Sequence, residues 1–134
     1  MFDYSAVNWV AVIVAAIANL VISTVWYLPQ VFGKQWAAAI GREMNTGGNP
    51  MLYGLAIVGS LISAYVLALV VNGVGAASIT DGIVTGAIVA IGFVATTQAV
   101  GGAFEGRSWS LFGINASNSI VAYAVMGGII AAMG

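Results

Sequence analysis

An all-α, polytopic membrane fold is what this sequence predicts: a four-transmembrane-helix bundle with a short amphipathic interfacial segment after helix one. Three observations carry that reading. Of 134 residues, 61% are hydrophobic and 5% charged, whereas about a quarter of a soluble domain is charged. Mean hydropathy is +1.05, and three basic plus four acidic side chains cannot cover a water-soluble surface of this size. Finally, residues 6–28, 51–72, 81–103 and 111–133 each supply the ~20 apolar residues that a bilayer core demands. Runs such as Val10-Ala11-Val12-Ile13-Val14-Ala15-Ala16-Ile17 do not alternate in polarity, so helices and not barrel strands are expected. Residues 1–134 make a single four-helix domain on this reading.

The first helix opens at Asn8-Trp9 and closes at Trp26-Tyr27-Leu28-Pro29. Aromatic residues suit both membrane interfaces, and proline ends the helix at its predecessor. Met1-Phe2-Asp3-Tyr4 carries no basic residue, so this segment reads as a retained helix and not as a cleaved signal. Phe32-Gly33-Lys34-Gln35-Trp36 begins the amphipathic stretch, which reaches about Ile40 and is expected along the membrane surface. Thr46-Gly47-Gly48-Asn49-Pro50 is a breaker cluster leading into helix two. That helix repeats small residues at Ser60, Ala64 and Ala68, and Asn72-Gly73-Val74-Gly75 stops it. Thr80 is the expected N-cap of helix three, with Asp81 favourably placed for the helix dipole. Gly82 and Gly86 form a small-xxx-small pair at that helix's outer end. Small residues at this spacing predict close helix packing, because lipid supplies no hydrophobic drive between helices.

Lys34, Arg42 and Arg107 all fall in the first and third connections, while the opposite face carries only Asp3 and Asp81. The positive-inside rule therefore puts those two connections in the cytoplasm and both termini on the non-cytoplasmic side.

Composition narrows the chemistry. With no cysteine and no histidine, disulfides, thiolate and imidazole metal sites and the usual neutral-pH acid–base residue are excluded. No triad, phosphate-binding glycine loop or metal-ligand spacing is present. A net charge of −1 gives nucleic acid nothing to hold. No catalytic residue, cofactor or metal is expected, and the chain reads as a non-enzyme.

What remains is polarity at membrane depth. Asn19, Ser23 and Thr24 lie in the inner half of helix one; Thr96, Thr97 and Gln98 in that of helix three; Asn115, Ser117, Asn118 and Ser119 in that of helix four. Facing the bundle, they make one polar region, with Asn19, Gln98, Asn115 and Asn118 as its candidate core. Interhelical hydrogen bonding is the first reading of these amides, and a small cytoplasm-facing cavity is the second. Glu105 and Arg107 read as a solvated cytoplasmic turn that anchors topology. No carboxylate lies in the middle of a span, which argues against proton-coupled transport.

Asn8-Trp9, Trp26-Tyr27, Pro29, Phe32-Gly33 and Trp36 are one half of a further pattern; Phe104-Glu105-Gly106-Arg107, Leu111-Phe112, Ile114-Asn115-Ala116 and Val125-Met126-Gly127 continue it. Across nearly its whole length the chain resembles the bacterial four-helix membrane family catalogued as domain of unknown function 1761. The resemblance implies four spans and an inner-membrane location, and it implies no activity.

Two functions follow. The first is a non-enzymatic accessory subunit or homo-oligomer, held in the bilayer and packed against its partners through the small-residue faces of Ser60, Ala64, Ala68, Gly82 and Gly86. The alternative is a small oligomeric transporter or channel with a polar site in the cytoplasmic half of the bundle.

Overall fold

The computed structural model describes residues 3–40 and 50–134. Arg42, the start of the chain and the Thr46–Asn49 part of the breaker cluster lie outside the described residues. Within them the chain is helical, with no strand. A single turn at Tyr4–Ala6 precedes α1 (Trp9–Trp26), a π-helical turn (Pro29–Gly33) and α2 (Lys34–Ile40). Then come α3 (Pro50–Gly73), α4 (Ile79–Val89), a second π-helical turn (Ala90–Ala95), α5 (Thr96–Glu105) and α6 (Trp109–Met133). α4, the π-turn and α5 form one continuous helix, Ile79–Glu105. Four helices are thus long and apolar enough to cross a membrane.

Local chemistry sets the boundaries. Asn8 caps α1, its Oδ1 accepting from the amides of Val10 and Ala11, so the helix starts at Trp9 and not at residue 6. Its end follows the proline, with Leu28 in the extended region (ψ 146°) that a following proline imposes. Ser78, not Thr80, caps α4: its hydroxyl accepts from the Asp81 amide at 3.1 Å. Thr80 lies within the first turn instead, and Asp81 keeps its place there. The turns after α3 and α5 are both Schellman motifs, with Gly75 and Gly106 left-handed at φ 73°. Ala76 donates to the Val71 carbonyl and Arg107 to the Gly102 carbonyl.

The two ends of the bundle pack differently. Asn8 Nδ2 donates to the Met133 carbonyl at 3.0 Å, tying the starts and ends of the chain together at one end, here the terminal end. Lys34 and Arg107 mark the other, the basic end. In the terminal half α4 lies directly on α6, and a Cβ at Gly82 or Gly86 would overlap the carbonyls of Gly127 or Tyr123. The core sits in the same half, around Val12, Ala15, Leu67, Val71, Met126 and Ile130. Ser60, Ala64 and Ala68 are buried as well. At Gly82 and Gly86 the backbones of α4 and α6 of this chain already meet. Trp9 stacks on Tyr65 at 5.1 Å over this core.

In the basic half the packing loosens. Residues 50–59 of α3 are all exposed, and α5 buries none of its residues. α2 folds back against α6, with Ala37 buried and Trp36 edge-on to Tyr27 at 5.5 Å. The interfacial segment is thus also a brace for the basic end.

Candidate functional site

The polar residues at membrane depth divide into separate pairs. Asn19 Nδ2 donates to Ser60 Oγ at 2.7 Å, joining α1 to α3. Ser23 and Asn118 meet at 3.4 Å, joining α1 to α6. One step nearer the basic end, the Tyr27 hydroxyl donates to Asn115 Oδ1 at 2.6 Å, and Trp26 Nε1 donates to the Ile114 carbonyl at 3.1 Å. Thr24, Thr96 and Thr97 turn back onto carbonyls of their own helical segments. The one polar region expected from sequence is therefore an α1–α3 bond at Asn19 and a ladder of bonds to α6 from Ser23 to Tyr27, plus a separate site around Gln98. Each such bond contributes modestly in a bilayer, about 0.6 kcal/mol on average.

Gln98 is placed by the π-turn. α4 is locked to α6 by its glycines, whereas after Ala90–Ala95 the helix separates from α6, and α5 touches it sparsely. A wedge of about 310 Å³ opens between them. Its wall includes Thr97, Gln98, Gly101 and Gly102 from the third span, and Trp109, Phe112 and Asn115 from the fourth. Glu105, Arg107 and Ser108 form its rim at the basic end. Glu105 Oε2 and Arg107 Nε are 2.6 Å apart, with both side chains more than half exposed. A pair so exposed contributes about 0–1 kcal/mol. It neutralises the rim without supplying an isolated charge.

The orientation of the Gln98 amide follows from its neighbour. Ser119 Oγ gives its proton to the Asn115 carbonyl at 3.1 Å, so it meets Gln98 as an acceptor, and Gln98 Nε2 donates to it at 3.5 Å. The carboxamide oxygen is left buried with no hydrogen-bond partner. Such an orphaned acceptor typically costs about 1–3 kcal/mol. Among buried side-chain polar atoms of the described residues it is the only one so placed.

A family model described as "Protein of unknown function (DUF1761)" matches residues 10–131. The chain belongs to that family. No curated protein and no solved structure matches.

In this DUF1761 chain, then, Asn19 and Asn118 bridge helices, Gln98 and Asn115 line the wedge, and Glu105 and Arg107 rim it. Asn115 belongs to both sets, accepting from Tyr27 on one side and facing the wedge on the other. Sequence reasoning missed Tyr27 and Trp26 as hydrogen-bond donors, Gly101 and Gly102 as wall, and Trp109 and Phe112 as aromatic flanks. Phe112 lies edge-on to Trp109 at 5.7 Å. The signal for the flanks was present in Trp109-Ser110-Leu111-Phe112, two rings at three-residue spacing opening a helix. Nothing in the sequence marks the π-turn that opens the wedge.

Proposed function

We propose that this protein is a non-enzymatic membrane protein that binds a small amphipathic ligand in the wedge between α5 and α6, with a transporter-like design. The observation that carries this reading is the contrast along the third span: close-packed against α6 before the π-turn and separated from it afterwards, around a polar-lined cavity. Such a bundle brings α4 into backbone contact with α6 in its terminal half and parts α5 from α6 in its basic half. Lys34 and Arg107 at the open end support a cytoplasmic opening with both termini on the far side, in a bacterial inner membrane.

Filling the cavity tests the reading. Gly102 lines it, and the nearest atom to a Cβ placed there is Arg107 Cβ at 3.9 Å, so a leucine side chain has room to enter. Mass spectrometry of protein extracted gently from native membrane should find a retained small amphiphile on the wild type and none on Gly102→Leu, with the variant's Tm equal to that of wild-type protein stripped of its ligand. A wild-type protein that retains nothing sinks the reading.

A second reading, an accessory subunit or homo-oligomer, is favoured by one observation. The first ten residues of α3 are exposed on every face, and a Cβ at Gly54 or Gly59 would meet no atom within 4 Å. That exposed half-helix, and not the glycine face of α4, is where a partner would sit.

A further inference from the structure

We infer that the ligand of the wedge is a neutral amphiphile whose head carries a hydrogen-bond donor, a hydroxyl or an amide N–H, accepted by the carboxamide oxygen of Gln98. The inference rests on the ligand-binding reading above and adds the chemical class.

Four observations narrow that class. The Gln98 oxygen is an acceptor without a donor, in a position where every other buried side-chain polar atom of the described residues is paired. The side chain is held by one long hydrogen bond, 3.5 Å to Ser119, and it lines the cavity. Charge on the ligand is disfavoured. Glu105 and Arg107 neutralise each other at the rim, and the deeper wall is uncharged. An ammonium brings three donors and a full charge, and no carboxylate stands in the deeper wall to pair it. Stripping water from a charge without full pairing is unfavourable, and an anion would set acceptor against acceptor.

Size and depth complete the description. Gln98 is seven residues from Glu105 along the helix, about 10 Å below the rim at 1.5 Å per residue. Trp109 and Phe112 line the wedge as well and offer ring surface to the ligand's apolar atoms. A volume of about 310 Å³ is at the small end of ligand pockets. It suits a compact head and a short length of chain.

The test compares two probes on the purified full-length protein: 1-monododecanoylglycerol and its di-O-methyl ether, which lacks both donors. Apparent affinity is read from titrations of Tm. The glycerol ester should bind about fivefold more tightly than the ether, the effect of one net hydrogen bond. Gln98→Leu should remove that preference, and Asn19→Ala should keep it. Should Gln98→Leu not fold, Gln98→Met and the wild-type probe comparison carry the same decision. Competition by free glycerol at the ester's own concentration would overturn the amphiphile class, because the acyl chain would then add nothing; lack of competition supports it. Equal binding of both probes overturns the donor inference and leaves ligand binding standing. Failure of both probes to bind overturns the inference as well, while the retained-ligand measurement on native protein decides the parent reading separately.

Discussion

Asn19 and Gln98 are both amides within spanning helices, yet their surroundings make opposite demands on them. Asn19 meets Ser60 at 2.7 Å, and Ser60 is only 4% exposed. Removing the amide leaves a buried hydroxyl without its cross-helix partner. Gln98 has one long bond and an oxygen with none. Removing that amide relieves an unpaired acceptor. Asn19→Ala is therefore expected to lower stability by about 0.6–1.7 kcal/mol, the range measured for cross-helix bonds in a bilayer. Gln98→Leu should be neutral or slightly stabilising. Unfolding in mixed micelles, with a double-mutant cycle on Asn19 and Ser60, checks both. A coupling energy near zero between Asn19 and Ser60 would show that their contact does not hold α1 to α3. The amides themselves were legible in the sequence as polar residues at one depth. Their different roles were not, because each role depends on which neighbour the helix rotation delivers.

At the scale of elements, the third span does two jobs on either side of the π-turn at Ala90–Ala95. On one side Gly82 and Gly86 let its backbone touch α6, so Gly86→Leu is expected to abolish the folded monomer, since the side chain would overlap the Tyr123 carbonyl. On the other side α5 is free to stand away. A π-turn holds one residue more than the α-helix it interrupts. Deleting Gly92, exposed and with nothing within 4 Å of a Cβ placed there, should restore regular α-geometry. Because the π-turn spends its extra residue on nearly the rotation of one residue fewer, the deletion keeps α5 on the same face and removes the bend. α5 would then continue along α6 and close the wedge. The expected outcome is loss of the retained ligand with the glycine contact of α4 on α6 intact. Ligand retention unchanged by the deletion would mean that the π-turn does not form the site. Small-residue spacing made the close packing of Gly82 and Gly86 readable in advance, but it could not say that α6 of the same chain is their partner. The π-turn left no sequence trace, because no residue type requires one.

For the molecule as a whole, hydropathy alone was enough to read four spans, since length and apolar content are summed properties that survive errors at single residues. The asymmetry between close α4–α6 contact in the terminal half and a parted α5 in the basic half was not readable, because it arises from helix tilt and separation. Residues 50–59 show this well: they are apolar like the rest of α3, yet all of them are exposed. A chain without cysteine makes the large-scale predictions clean to test. Single cysteines replace Ser5, at the terminal end, and Ser108, at the rim of the wedge. In intact cells of a host with the outer membrane permeabilised, a membrane-impermeant maleimide should label Ser5→Cys and not Ser108→Cys. In inverted vesicles the order should reverse. The reasoning is electrostatic: Lys34 and Arg107 share the end that holds Ser108, and basic residues are retained on the cytoplasmic side. Labelling of Ser108→Cys in intact cells would turn the molecule over, placing the open wedge on the outer face of the bilayer. A third variant, Gly54→Cys, asks what covers the bare half of α3. Oxidation should cross-link it to a second copy if that face is an interface. If it stays monomeric while remaining reactive to a lipid-soluble maleimide, lipid alone covers α3 there, and the homo-oligomer reading is lost.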